Sequence, residues 1–82
     1  MVRFYFHLKE GCELIADDHG TELPSVEAAT REALRSAREL LADAIRFGVS
    51  RVPDSVVIAD EAGRTLHVLP MVEALPEPFN KK

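Results

Sequence analysis

The sequence predicts a small α+β domain with the element order β-β-α-β-β. The stretch from Ser25 to Gly48 keeps helical periodicity throughout, with its apolar residues gathered on one side. Before and after it lie short runs that alternate apolar and polar residues, joined by turns carrying Gly. The length, 82 residues, suits one sheet and one covering helix. Residues 1–75 are expected to form the domain and residues 76–82 a loose C-terminal tail.

The first strand is read at Arg3 to Leu8. Phe4, Phe6 and Leu8 face one way, and Arg3, Tyr5 and His7 the other. Lys9-Glu10-Gly11 is a hairpin signal, and Cys12 to Ala16 follows as a second, shorter strand. Asp17-Asp18-His19-Gly20 has the local hydrogen-bonding chemistry of a turn. Thr21 to Pro24 is extended and leads into the helix, with Pro24 disfavouring helical geometry at Leu23.

The helix has marked ends. Ser25 can accept from a free backbone N–H of the first turn, and Gly48 can adopt the left-handed closing conformation. Val26, Ala29, Ala33, Ala37, Leu40, Ala44 and Phe47 fall on one side, widened by Leu34, Leu41 and Ile45. That is an apolar arc of roughly 160°, suited to lying on a sheet. Glu27–Arg31 and Arg35–Glu39 are spaced as i,i+4 ion pairs. The four arginines of the polar face are interleaved with Glu27, Glu32, Glu39 and Asp43, so it reads as a solvated face rather than a nucleic-acid surface.

A loop follows over residues 49–54. Ser55 to Asp60 is the third strand, Glu61-Ala62-Gly63 a turn, and Arg64 to Leu69 the fourth strand, ended by Pro70. On that last strand Leu66 and Val68 are expected inward, and Thr65, His67 and Leu69 outward. Strands one and three are the more apolar, which places them centrally. The resulting four-stranded antiparallel sheet has the order 2-1-3-4, with the helix across one face.

Three pieces of the chain carry a resemblance: RFYFHLKEG, DDHGTELPSVEAATREALRSARELLADAI and IADEAGRTLHVLP. Together they resemble the short, uncharacterised alphaproteobacterial proteins grouped as domain-of-unknown-function family 6894. The resemblance covers about residues 3–75 and brings no established activity and no catalytic residue with it. A more partial similarity is to HicB-type antitoxins, through the N-terminal hairpin and the alanine-rich helix opening at Glu27-Ala28. It implies a toxin-binding or regulatory subunit with a toxin or nucleic-acid partner. The basic DNA-binding segment that such antitoxins often carry is missing after the fourth strand.

Charge and composition narrow the function classes. Ten Lys and Arg against fourteen Asp and Glu give a net charge of −4, which disfavours nucleic acid and anionic membrane as partners. No apolar run reaches the ~18–20 residues of a membrane span, and the N-terminus enters strand pattern directly, so a cytoplasmic protein is expected. Cys12 is the lone cysteine, which rules out an internal disulfide. Its neighbours Glu10 and Glu13 disfavour a thiolate nucleophile.

His7, Cys12, His19, Asp17, Asp18 and His67 are the possible metal ligands, but no dense ligand spacing is present. His7 and His67 are expected on the same open sheet face, where they could approach one another. Asp17-Asp18 reads as turn chemistry, and Asp60 to Gly63 as a hairpin turn rather than a phosphate loop. Catalytic, cofactor and metal sites are therefore all expected to be absent, and the chain to be no enzyme.

The remaining expectation is an interaction module that forms a homo-oligomer or docks on a protein partner. The interface is expected on the sheet face opposite the helix, with Arg3, Tyr5, His7, Thr65, His67 and Leu69 on it. A competing arrangement has Met71, Val72, Leu75 and Phe79 folding back over that face.

Overall fold

A computed structural model describes residues 1–48 and 52–76 of the chain. Its elements in order are strands β1 (Val2–Glu10), β2 (Glu13–Ile15) and β3 (Thr21–Leu23), helix α1 (Val26–Phe47), strands β4 (Ser55–Ala59) and β5 (Thr65–Pro70), and a 3₁₀ turn, Met71–Ala74. The α+β class holds. The expected count of four strands is corrected to five. The order β2-β1-β4-β5 matches the expected spatial order of the four strands, and β3 adds itself to the same edge of β1 as β2. Nine residues of β1 are long enough to pair with both short strands, with β3 along Val2–Phe4 and with β2 along Leu8–Glu10. All pairs are antiparallel.

The helix caps form as the sequence implies. Ser25 is extended and its Oγ accepts from the Ala28 N–H at 3.1 Å. Gly48 closes the helix with φ at 68°, its N–H bonded to the Ala44 carbonyl. Arg35 pairs with Glu39 as expected, and with Glu32 as well.

Cross-strand neighbours share a face. Leu8, Val56 and Leu69 form one row on the helix side, and Phe6, Ile58 and His67 the next. Ala29, Ala33 and Ala37 are fully buried against Phe4, Val56, Ile58, Leu69 and Met71. With no side chain beyond Cβ they let the helix backbone approach the sheet closely. Phe4, Val56 and Ile58 then supply most of the apolar bulk at the centre.

Two expectations about faces are corrected. On β5 the inward side chain is Leu69, 5% exposed, while Leu66 and Val68 are 39% and 46% exposed. Leu69 and Met71 are both buried, two residues apart in extended chain, and this pair sets the alternation. The Met71 N–H bonds to the Asp54 carbonyl at 2.8 Å and holds that register. His67 and Leu69 therefore leave the open face. A register irregularity between Ile58 and Ala59 puts Thr65 opposite Ala59, which returns Thr65 to it.

The second correction concerns α1. Ile45 and Phe47 are 80% and 70% exposed although they continue the apolar arc, and Val26 at the other end is exposed too. Twenty-two helical residues span about 33 Å, whereas the five residues of the central strand β4 span about 17 Å, so both helix ends run past that strand.

The 3₁₀ turn packs with the helix layer. Met71 and Ala74 are buried in the core, and the Ala74 carbonyl accepts from Arg38 Nε at 3.3 Å. Met71 thus does not cover the open face. Phe79 and the rest of the tail from residue 77 lie outside the described residues, as do residues 49–51 of the loop after the helix.

Candidate interface on the open sheet face

The face opposite the helix is built from three neighbouring strands. His7, Val57 and Val68 form its central row, and Tyr5, Ala59 and Thr65 the row beside it. Leu66 lies next to these on β5. The Tyr5 and His7 rings stack with centroids 6.3 Å apart and planes within 19°. Arg3 and Glu22 lie opposite each other at the β3 end, joined at 3.5 Å. At the other end Lys9 stands between Leu14 of β2 and Ser55 of β4.

The turn at residues 17–20 fixes the β1 edge of this face. Asp17 Oδ2 accepts from the Phe6 N–H at 3.1 Å, and Oδ1 accepts from His19 and Gly20 N–H at 3.2 Å each. The Asp17 N–H in turn donates to His7 Nδ1 at 3.0 Å, which selects the imidazole tautomer with its proton on Nε2. Partial burial of the Asp17 carboxyl raises its pKa. The three backbone N–H donors outweigh that, and the net shift is downward from 3.8. Arg3 Nη1 donates to the His19 carbonyl at 2.7 Å. Gly20 has φ at +72°, and a Cβ there would lie 2.8 Å from Arg3 Cγ and 3.0 Å from the Phe4 oxygen and Tyr5 Cε1. Glycine is required at this position on both counts.

Arg3, Tyr5 and His7 are thus brought together as expected, with Thr65 across β4 from Tyr5. His67 and Leu69 are not part of the group. Val57 comes from β4, the expected third strand, one side of whose Val56–Ala59 run is expected here. Leu66 and Val68 take the place of His67 and Leu69, giving the face a more aliphatic character than the sequence reading implied. The Leu69-Pro70-Met71 run held the signal. Two large apolar residues two apart at the end of a strand compete with Leu66 and Val68 for the inner side, and the pair that continues into the core wins.

The two strand histidines stay apart. His7 faces the open side and His67 the helix side, so they do not approach one another as expected. Among the described residues no three His, Cys, Asp or Glu come together with metal-binding geometry. Cys12 is exposed. Asp60 closes the β4–β5 turn, its Oδ1 accepting from Ala62 and Arg64 N–H at 2.9 Å and its Oδ2 from Arg64 Nε at 2.9 Å. No described helix is long and apolar enough to cross a membrane.

The hairpins, the helix and the 17–20 turn between them occupy the span over which the chain matches a known family. Residues 3–72 match the family described as Domain of unknown function (DUF6894). The chain belongs to this family. The DUF6894 match takes in the helix and all five strands, and with them every residue of the open face named above. Comparison with curated proteins and comparison with solved structures each returned no match.

Proposed function

We propose that this DUF6894 protein is a non-enzymatic interaction module that forms a homodimer through the open sheet face, in the cytoplasm. The observation that carries the reading is the cluster of Tyr5, His7, Val57, Leu66 and Val68, with Leu66 and Val68 39% and 46% exposed. An aromatic and aliphatic centre with Arg3, Glu22 and Lys9 at its margins has the make-up of an interface core and rim. Stacking two such faces has to bury about 1,000 Å² or more in total to make a specific interface.

Sedimentation velocity of the full chain from about 1 to 100 µM tests this. Dimer is expected at the upper end. Val68→Glu is expected to sediment as a monomer there while keeping the wild-type melting profile at low concentration. A wild-type monomer at about 100 µM, or a dimer insensitive to Val68→Glu, overturns the proposal.

A further inference from the structure

The helix carries a second surface, on its flank, that the open-face interface leaves free. A shallow groove of about 470 Å³ is lined by Arg31, Leu34, Arg35, Arg38, Glu39 and Ala42. A second groove, of about 370 Å³, shares Arg38 and Ala42 with it and continues past Leu41 and Ile45 to Leu75. Leu34, Arg38, Leu41 and Ile45 follow one another at spacings of four, three and four residues, which sets them in one line along the helix. Ile45 at the end of that line is 80% exposed.

The charges along it are unequal. Arg35 is held by Glu32 and Glu39, and Arg46 lies 3.7 Å from Asp43. Arg31 and Arg38 have no carboxylate partner among the described residues. Arg38 meets only the Ala74 carbonyl, through Nε. These two arginines stand seven residues apart, about 10.5 Å along the axis, on either side of Leu34.

We infer that this flank docks an acidic amphipathic helix of a partner protein. Apolar anchors of that helix would sit on Leu34, Ala42, Leu41 and Ile45, and carboxylates two turns apart would meet Arg31 and Arg38. A second copy of this chain is the poorer occupant, because it offers the same two arginines and its nearby carboxylates are already held, Glu32 and Glu39 by Arg35 and Asp43 by Arg46. A nucleic-acid or lipid phosphate surface fits less well too. The groove floor of Leu34, Leu41, Ala42 and Ile45 is apolar and gives phosphates nothing to bond, whereas an amphipathic helix has apolar side chains to set on it.

The test uses the full chain and a fluorescein-labelled peptide of about 15 residues, with leucine at heptad a and d positions and glutamate flanking them. A second peptide replaces each glutamate by lysine. Anisotropy is expected to show the glutamate peptide binding at tens of micromolar, at least about tenfold tighter than the lysine peptide. Arg31→Glu/Arg38→Glu should reverse that order, and Ile45→Asp should weaken the glutamate peptide severalfold without moving the melting temperature. If the double variant does not melt cooperatively, Arg31→Glu alone is read instead, with a smaller loss of preference expected. No binding of the glutamate peptide at about 1 mM, equal binding of both peptides, or a preference untouched by the charge reversal overturns the inference. So does binding to duplex DNA or to phosphatidylserine vesicles as tight as to the glutamate peptide.

Discussion

Asp17 satisfies three backbone N–H groups with one carboxylate and gives up its own N–H to His7. The isosteric asparagine does not do this. Asparagine has one acceptor oxygen and one donor group, so either the Phe6 N–H or the His19 and Gly20 pair would face a donor. Asp17→Asn is expected to cost about 1–2 kcal/mol, measured by urea unfolding near pH 6. The pH dependence has a fixed sign. The folded carboxyl pKa is lowered from 3.8 by the N–H donors, so its contribution is fully present above that ordinary value. It is lost as pH falls from there through the lower folded value. The stability gap between wild type and Asp17→Asn should therefore be constant from about pH 5 to 7 and shrink below pH 4. A gap unchanged at pH 3 would show that the carboxylate charge contributes nothing. Gly20 makes a second residue-scale test. Gly20→Ala meets both a positive φ and contacts of 2.8 to 3.0 Å, and a loss of about 2 kcal/mol or more is expected. A melting curve indistinguishable from wild type would refute that cost.

At the scale of elements, the helix was the most legible part, because its caps and its alanine line are local features. Ser25, Gly48, Ala29, Ala33 and Ala37 all take the roles their positions imply. Less legible was where the helix stops being covered, since that depends on strand length elsewhere in the chain. Periodicity counts both Ala33 and Ile45 in the apolar arc, Ile45 at its edge; the sheet covers only the first. Ala33→Asp should put an unpaired carboxylate into a fully buried site and cost about 3–5 kcal/mol, enough to abolish a cooperative melt in a domain this small. Ile45→Asp should change stability by no more than about 0.5 kcal/mol. Thermal melts of the two variants side by side check the overhang directly. β3 escaped prediction for a related reason. Three residues carry no period, and their pairing is decided by how far β1 extends beyond β2. The facing of β5 depended on a competition settled in the core, between Leu69 with Met71 and Leu66 with Val68. Half of the candidate interface, on β1, could be read from alternation, and the other half waited on that competition.

For the whole molecule, the balance between a thin core and an uncovered face matters most. The helix side is sealed by four buried alanines, which limits the apolar volume one chain can enclose. Pairing through Tyr5, Val57, Leu66 and Val68 would add the burial that a single copy lacks. Binding that favours the folded state raises its apparent stability by mass action, so the melting temperature of a dimer depends on protein concentration. A tenfold rise in concentration adds about 1.4 kcal/mol per dimer, which for two chains of this size is a shift of about 2–4 °C. The wild-type melting temperature is expected to rise by up to that amount between 10 and 100 µM (about the range in which a small interface fills). Val68→Glu places a charge at the centre of the face, where it is exposed in the monomer and buried in the dimer. Its melting temperature should be flat over the same range and should meet the wild-type value at the dilute end. Parallel slopes for the two proteins would place the association elsewhere than the open face. A flat wild-type curve would leave the chain monomeric, with Leu66 and Val68 as ordinary exposed residues.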